Sequence, residues 1–167
     1  TARINTVKVS IEDCIKELQN LGWTIEQDKD IPEVVYINSH QGHLEKAKPV
    51  IEGHITFMDK ASMLVAHVVD PQPGERIFDC CAAPGGKSMH MASLMNNTGA
   101  IISCDIYDHK LDLMNQNAER LGVSIVSTKL QDGRYLPDNW KEQFDRVLVD
   151  APCSGLGILQ KKLDMRW

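Results

Sequence analysis

Two short stretches hold residue types that could do chemistry together. Residues 79–87 read Asp79-Cys80-Cys81-Ala82-Ala83-Pro84-Gly85-Gly86-Lys87, directly after the apolar Ile77 and Phe78. Residues 150–155 read Asp150-Ala151-Pro152-Cys153-Ser154-Gly155, directly after Val147, Leu148 and Val149. The first is a glycine-rich turn between a strand and a helix. Glycines there let a ligand approach the backbone, and the first turn of the helix offers free N–H groups to a carboxylate or phosphate. The second stretch puts a carboxylate and a thiol at the end of another strand. A cysteine can be a nucleophile there if its pKa is lowered, although a lone cysteine is more often inert and buried. In an open α/β sheet both stretches face one crevice at the carboxyl ends of the strands, where ligands bind. The turn is neither Gly-x-Gly-x-x-Gly nor a P-loop, which disfavours a dinucleotide or ATP. Two further acids end strands. Asp105 could accept hydrogen bonds from ribose hydroxyls or merely cap the next helix. Asp132, in Gln131-Asp132-Gly133-Arg134, could meet an adenine amino group or shape a turn. Cys80, Cys81 and Cys104 lie in or beside strands and read as packing residues.

The elements that must position these groups follow from residue spacing. From Ile55 onward the chain alternates strand and helix. Residues 76–79, 100–105, 124–130 and 144–150 read as strands, and 59–69, 87–95 and 108–121 as helices. The helix over 108–121 places Leu111, Met114, Ala118 and Leu121 on one face and closes at Gly122. Such alternation with short loops implies a parallel sheet with right-handed crossovers. Residues 1–50 differ, and are expected to form a small α+β subdomain before an α/β domain over 51–167. Residues 2–9 alternate like a strand. Ser10 to Asp13 resembles a capping box for a helix that Gly22 stops, and 34–37 is a short strand. His40 and His43 are spaced like metal ligands, but no cysteine or acidic cluster joins them, so an exposed loop is the better reading.

Composition narrows the classes. The chain has 167 residues, 43% hydrophobic and 25% charged, enough for one domain plus a small appendage. No apolar stretch approaches a membrane span, and no secretion signal precedes the first helix. Five cysteines, two of them adjacent, suit reduced thiols and a cytoplasmic setting rather than a disulfide framework. A net charge of −5 argues against strong nonspecific nucleic-acid binding, although Lys161, Lys162 and Arg166 cluster near the last residue.

The two stretches together resemble the RNA cytosine-5 methyltransferases, above all the bacterial Fmu/Sun (RsmB) type, which modifies 16S ribosomal RNA. Gln131 to Arg134, Ile55 to Ser62 and Thr1 to Thr6 resemble that type too, with Met58 where a glutamine is expected. The resemblance implies a Rossmann-like S-adenosylmethionine-dependent methyltransferase fold with strand order 3-2-1-4, preceded by an RNA-facing subdomain. It implies that Ala82, Ala83, Pro84, Gly85, Gly86 and Lys87 hold the methionine part of S-adenosylmethionine. Asp105 would take the ribose and Asp132 the adenine, with Cys81 and Asp150 also touching the cofactor. Asp150 and Pro152 would line the cytosine pocket, with Lys87 nearby. The residues alone would make Cys153 the nucleophile. The resemblance instead gives Cys153 the role of assisting product release, because the family's attacking cysteine sits in a Thr-Cys or Ser-Cys motif after the next strand. On that reading the chain is a fragment of a longer enzyme, inactive by itself, and its fourth strand is an edge that invites self-association. Two other readings are a cofactor- or RNA-binding module without catalysis, or a tRNA-directed enzyme of the same chemistry. A nicotinamide-dependent oxidoreductase is disfavoured by the missing Gly-x-Gly-x-x-Gly.

Overall fold

A computed structural model describes residues 1–151. The first elements are β1 (Ala2–Ile4), α1 (Ile11–Asn20), β2 (Thr24–Gln27), β3 (Val34–Ser39), the single turn α2 (Lys48–Ile51) and β4 (Ile55–Phe57). They form an antiparallel sheet in the order β2-β3-β1-β4, with α1 packing Cys14 and Leu18 onto it. Ser10 begins α1 as the sequence suggests: its hydroxyl accepts the Asp13 N–H at 3.1 Å. The alternation over 2–9 yields a strand only as far as Ile4. Asn5 then turns the chain: its Oδ1 accepts the Val7 N–H at 3.3 Å. β2 was not legible, because only Ile25 in Thr24–Gln27 is apolar and the strand is largely exposed. The boundary expected at residue 50 falls inside this sheet. Ile55 to Phe57 pair with β1, opposite Ile4 to Ala2, so the first unit runs through β4.

The second half is α3 (Lys60–Val69), β5 (Arg76–Asp79), α4 (Gly86–Leu94), β6 (Ala100–Asp105), α5 (Asp108–Leu121), β7 (Val126–Leu130) and β8 (Arg146–Leu148). The strands are parallel and ordered β7-β6-β5-β8, the 3-2-1-4 order implied by the family resemblance. Side chains alternate across the sheet. Ile77 and Ile101 join Met89, Met91 and Ala92 of α4, and Met95 just after it, on one face. Phe78 and Cys104 join Trp140 and Phe144 on the other, with the Phe78 and Phe144 rings stacked 5.3 Å apart. The outer strands are shorter than expected. Ser124 is drawn off β7 by Asn97, whose Oδ1 accepts its N–H at 3.0 Å.

Polar contacts fasten the halves together. Asn5 Nδ2 donates to the carbonyls of Gly53 and Leu121, both at 2.8 Å. Lys8 Nζ donates to Glu52 O and Arg120 O at 2.9 and 2.6 Å, adding a cation at the carboxyl end of α5. A side chain at Gly53 would strike the Arg120 carbonyl, so only glycine allows this close approach. Deeper in the join, Glu33 Oε1 accepts from His67 Nε2 at 2.6 Å and His90 Nε2 at 2.9 Å. Burial pushes the His90 imidazole down to about 4. Glu33 lies at about 2: burial is the largest single influence and raises it, but the hydrogen bonds to the two histidines and the backbone together outweigh that cost.

Candidate active site

The turn after β5 is held by its neighbours. Cys80 N–H donates to Leu148 O at 2.9 Å and Ala82 N–H to Cys104 O at 2.8 Å, so β8 and β6 both pin it. Gly85, at φ +96°, starts α4, a backbone state L side chains avoid. On the far side of the sheet edge, Gln131 N–H donates to Asp105 O at 3.1 Å and fixes the loop after β7. Two clefts open along this edge and share Cys81. The larger, about 370 Å³, lies over the ends of β5, β6 and β7 and is lined by Asp105, Ile106, Tyr107, Lys110, Asp132 and Gly133, among others. The smaller, about 170 Å³, is bounded by Ala82, Ala83, Pro84, Gly86 and Lys87, by Asp79 and Asp150, and by Phe57 and Met58 from the first unit.

Charge is unevenly arranged. Asp79 is buried at the end of β5. Its Oδ2 accepts the Ser88 hydroxyl at 2.6 Å, and Ser88 Oγ in turn accepts from Ser103 at 2.8 Å. Its Oδ1 is buried and has no partner among the described residues. Burial pushes the Asp79 carboxyl up to about 6, against the pull of the Ser88 hydrogen bond and of Lys87. Lys87 and Asp150 form an ion pair at the mouth of the smaller cleft. Asp105 Oδ1 accepts the Tyr107 N–H at 3.1 Å and lies 3.6 Å from Lys110 Nζ. Residues 66–167 match the family model described as 16S rRNA methyltransferase RsmB/F. The chain belongs to the RsmB/F family.

Relatives of this RsmB/F chain agree. It is 37% identical over its whole length to a probable ribosomal RNA small subunit methyltransferase B of Bacillus subtilis. It is 36% identical over 99% of its length to a protein of the same description from Synechocystis. The chain spans 37% of the length of each. A crystal structure of a methyltransferase homolog protein from Pyrococcus horikoshii superposes with TM-score 0.87 at 31% identity, covering 98% of this chain and 53% of that one.

The structure brings Cys81, Ala82, Ala83, Pro84, Gly86, Lys87 and Asp150 to one cleft, and Asp105 and Asp132 to the other. Gly85 is different. It lines neither cleft, and a Cβ there would meet Met114 Cγ at 3.2 Å and Met89 Cε at 3.4 Å. Its glycine therefore serves the turn and the core rather than room for a ligand. Asp132 is not free: Arg134 holds both its oxygens, with Nη2 2.6 Å from Oδ2, and this keeps its carboxyl near 2. Pro152 and Cys153 lie outside the described residues. Burial pushes the thiols of Cys80 and Cys104 up to about 11 and about 12, which fits packing and excludes a ready thiolate. Asp79 was not legible as a site residue in the sequence, although it heads the glycine-rich motif. Nor were Ile106 and Tyr107, which follow a strand-end acid and are exposed despite their apolar surface. Gly133 was missed as well. It sits against Cys80, and any side chain there would overlap Cys80 Sγ. No helix among the described residues is long and apolar enough to cross a membrane.

Proposed function

We propose that this chain is part of an S-adenosylmethionine-dependent RNA cytosine-5 methyltransferase whose substrate is 16S ribosomal RNA, a cytoplasmic task. The observation that carries the reading is the buried, unpartnered Asp79 Oδ1 bordering the smaller cleft, beside the free N–H groups of the first turn of α4. A carboxylate acceptor and backbone donors side by side suit the ammonium and carboxylate of an amino acid, the methionine end of the cofactor. Asp105, at the end of β6 in the larger cleft, suits the ribose, and exposed Ile106 beside it offers an apolar wall for adenine. Asp132 shares that cleft and supports an adenine contact only while Arg134 also holds it.

When bound, the cofactor supplies an electrophilic methyl group on sulfur. The residues of this chain do the rest by placement. Lys87 fixes the Asp150 carboxylate, which would accept a hydrogen bond from the cytosine amino group. Ala151 lines the larger cleft, and Cys153 follows two positions later in sequence, with Pro152 between as the expected pocket wall. Its thiol is assigned to product release, by resemblance. The names of the relatives support ribosomal RNA of the small subunit as the substrate. The outer edge of β8 has no partner strand among the described residues, and Val147 within β8 and Val149 just after it are exposed. This supports self-association through that edge, to be read by sedimentation velocity across a concentration series. Calorimetric titration tests the cofactor assignment. One equivalent of S-adenosylmethionine bound, with no heat from NAD, is expected. Binding of NAD alone would overturn the reading.

A further inference from the structure

Away from the clefts, three ligand-type side chains converge from three separate segments. Glu33 precedes β3, and its carbonyl accepts the Ile4 N–H at 2.7 Å, which fixes it to the first sheet. His67 sits in the last turn of α3 and His90 in the middle of α4. Glu33 Oε1 and the two Nε2 atoms lie within 4.8 Å of one another. The two imidazole rings meet edge to face with centroids 5.3 Å apart, and the Nε2 atom of each faces the same carboxylate oxygen. His90 is fully buried, whereas His67 is about one-third exposed and leaves a route from solvent.

We propose that Glu33, His67 and His90 form a binding site for one zinc-like divalent ion. The donor set decides the metal: two imidazoles and one carboxylate suit zinc or cobalt, while magnesium and calcium require oxygen. Three protein ligands with one side toward solvent leave a fourth position for water. Tetrahedral zinc, with bonds of about 2.0–2.1 Å, needs donors about 3.3 Å apart. The present 2.6 and 2.9 Å separations must therefore open slightly, and His67, one-third exposed at the end of its helix, is the ligand freest to move. The join is not closed by its own hydrogen bonds: His90 Nδ1 and all three guanidinium nitrogens of Arg3 are buried without partners among the described residues. The Arg3 charge acts on both Glu33 and His90 and opposes a second cation. The ion would clamp the first sheet to α3 and α4, and so hold α4 where its first turn edges the smaller cleft. The site is independent of the methyl-transfer reading.

The test is titration of chelator-stripped protein with Zn²⁺ by calorimetry and with Co²⁺ by visible absorption. One equivalent should bind, with a tetrahedral cobalt spectrum and a raised Tm. His67→Ala, at a partly exposed position, should weaken binding at least tenfold, and His67→Ala with Glu33→Gln should abolish it. Arg3→Met should tighten it. His54→Ala, which alters the separate surface group of Glu17, Glu52 and His54, should leave it unchanged. No cobalt spectrum, a sulfur-to-cobalt charge-transfer band, or binding that survives His67→Ala would overturn the proposal.

Discussion

Asp79→Asn should make the protein more stable and worse at binding its cofactor, with both effects set by pH. The carboxyl is buried, and its pKa rises from 3.8 to about 6 on folding. A raised pKa means that the folded state favours the protonated form. Stability from this group is therefore complete below pH 3.8 and is lost as pH climbs through 6. The gap, at about 1.4 kcal/mol per pH unit, amounts to a cost on the order of 3 kcal/mol at pH 8. Asparagine keeps the shape and an acceptor for Ser88 but carries no charge. At pH 8 the variant should melt roughly 6–12 °C higher than the parent, and at pH 4 the two should coincide. Cofactor affinity should move the other way. Loss of the proposed charge-assisted hydrogen bond from the cofactor's ammonium should cost about 1.5–3 kcal/mol, or about 10- to 150-fold in Kd at pH 8. The parent should lose the same affinity as it is acidified through pH 6. Differential scanning calorimetry and isothermal titration across pH 4–8 check both halves. A Tm difference independent of pH, or equal affinities at pH 8, would refute the reasoning.

Asp105→Ala should weaken S-adenosylmethionine binding by about 10- to 150-fold and lower Tm only slightly, since the side chain accepts the Tyr107 N–H and pairs with the partly exposed Lys110; calorimetric titration reads it. Gly133→Ala should destabilise the protein because its methyl overlaps Cys80 Sγ, and adding Cys80→Ala should restore much of the lost Tm. His90 should produce an acid-sensitive join. Its pKa falls from 6.5 to about 4 on folding, so the unfolded chain takes up its proton first and stability drops as pH falls from 6.5 to 4. Denaturant melts should show a loss on the order of 3 kcal/mol from this group over that range, absent in His90→Gln.

The parallel half of the molecule is written in local patterns along the chain. Arg76–Asp79, Ala100–Asp105 and Asp108–Leu121 are found where spacing puts them, because an apolar run ended by an acid, and a 3.6-residue stripe ended by glycine, are local signals. The turn from Cys81 to Lys87 and the acids Asp105, Asp132 and Asp150 were legible for the same reason: each sits at a strand end. Tertiary structure decided what no local window holds. It moved Ile55 to Phe57 into the first sheet, since a three-residue strand is defined by its partner β1. It turned Gly85 toward Met114 and closed Arg134 onto Asp132. It gave Asp79 its raised pKa, which comes from burial and not from its neighbours in sequence. The sequence drew attention to His40 and His43, three apart and exposed. The fold instead brought His67 and His90 to Glu33 across 57 positions, because the packing of two sheet-bearing units, not spacing along the chain, sets which side chains meet in their join.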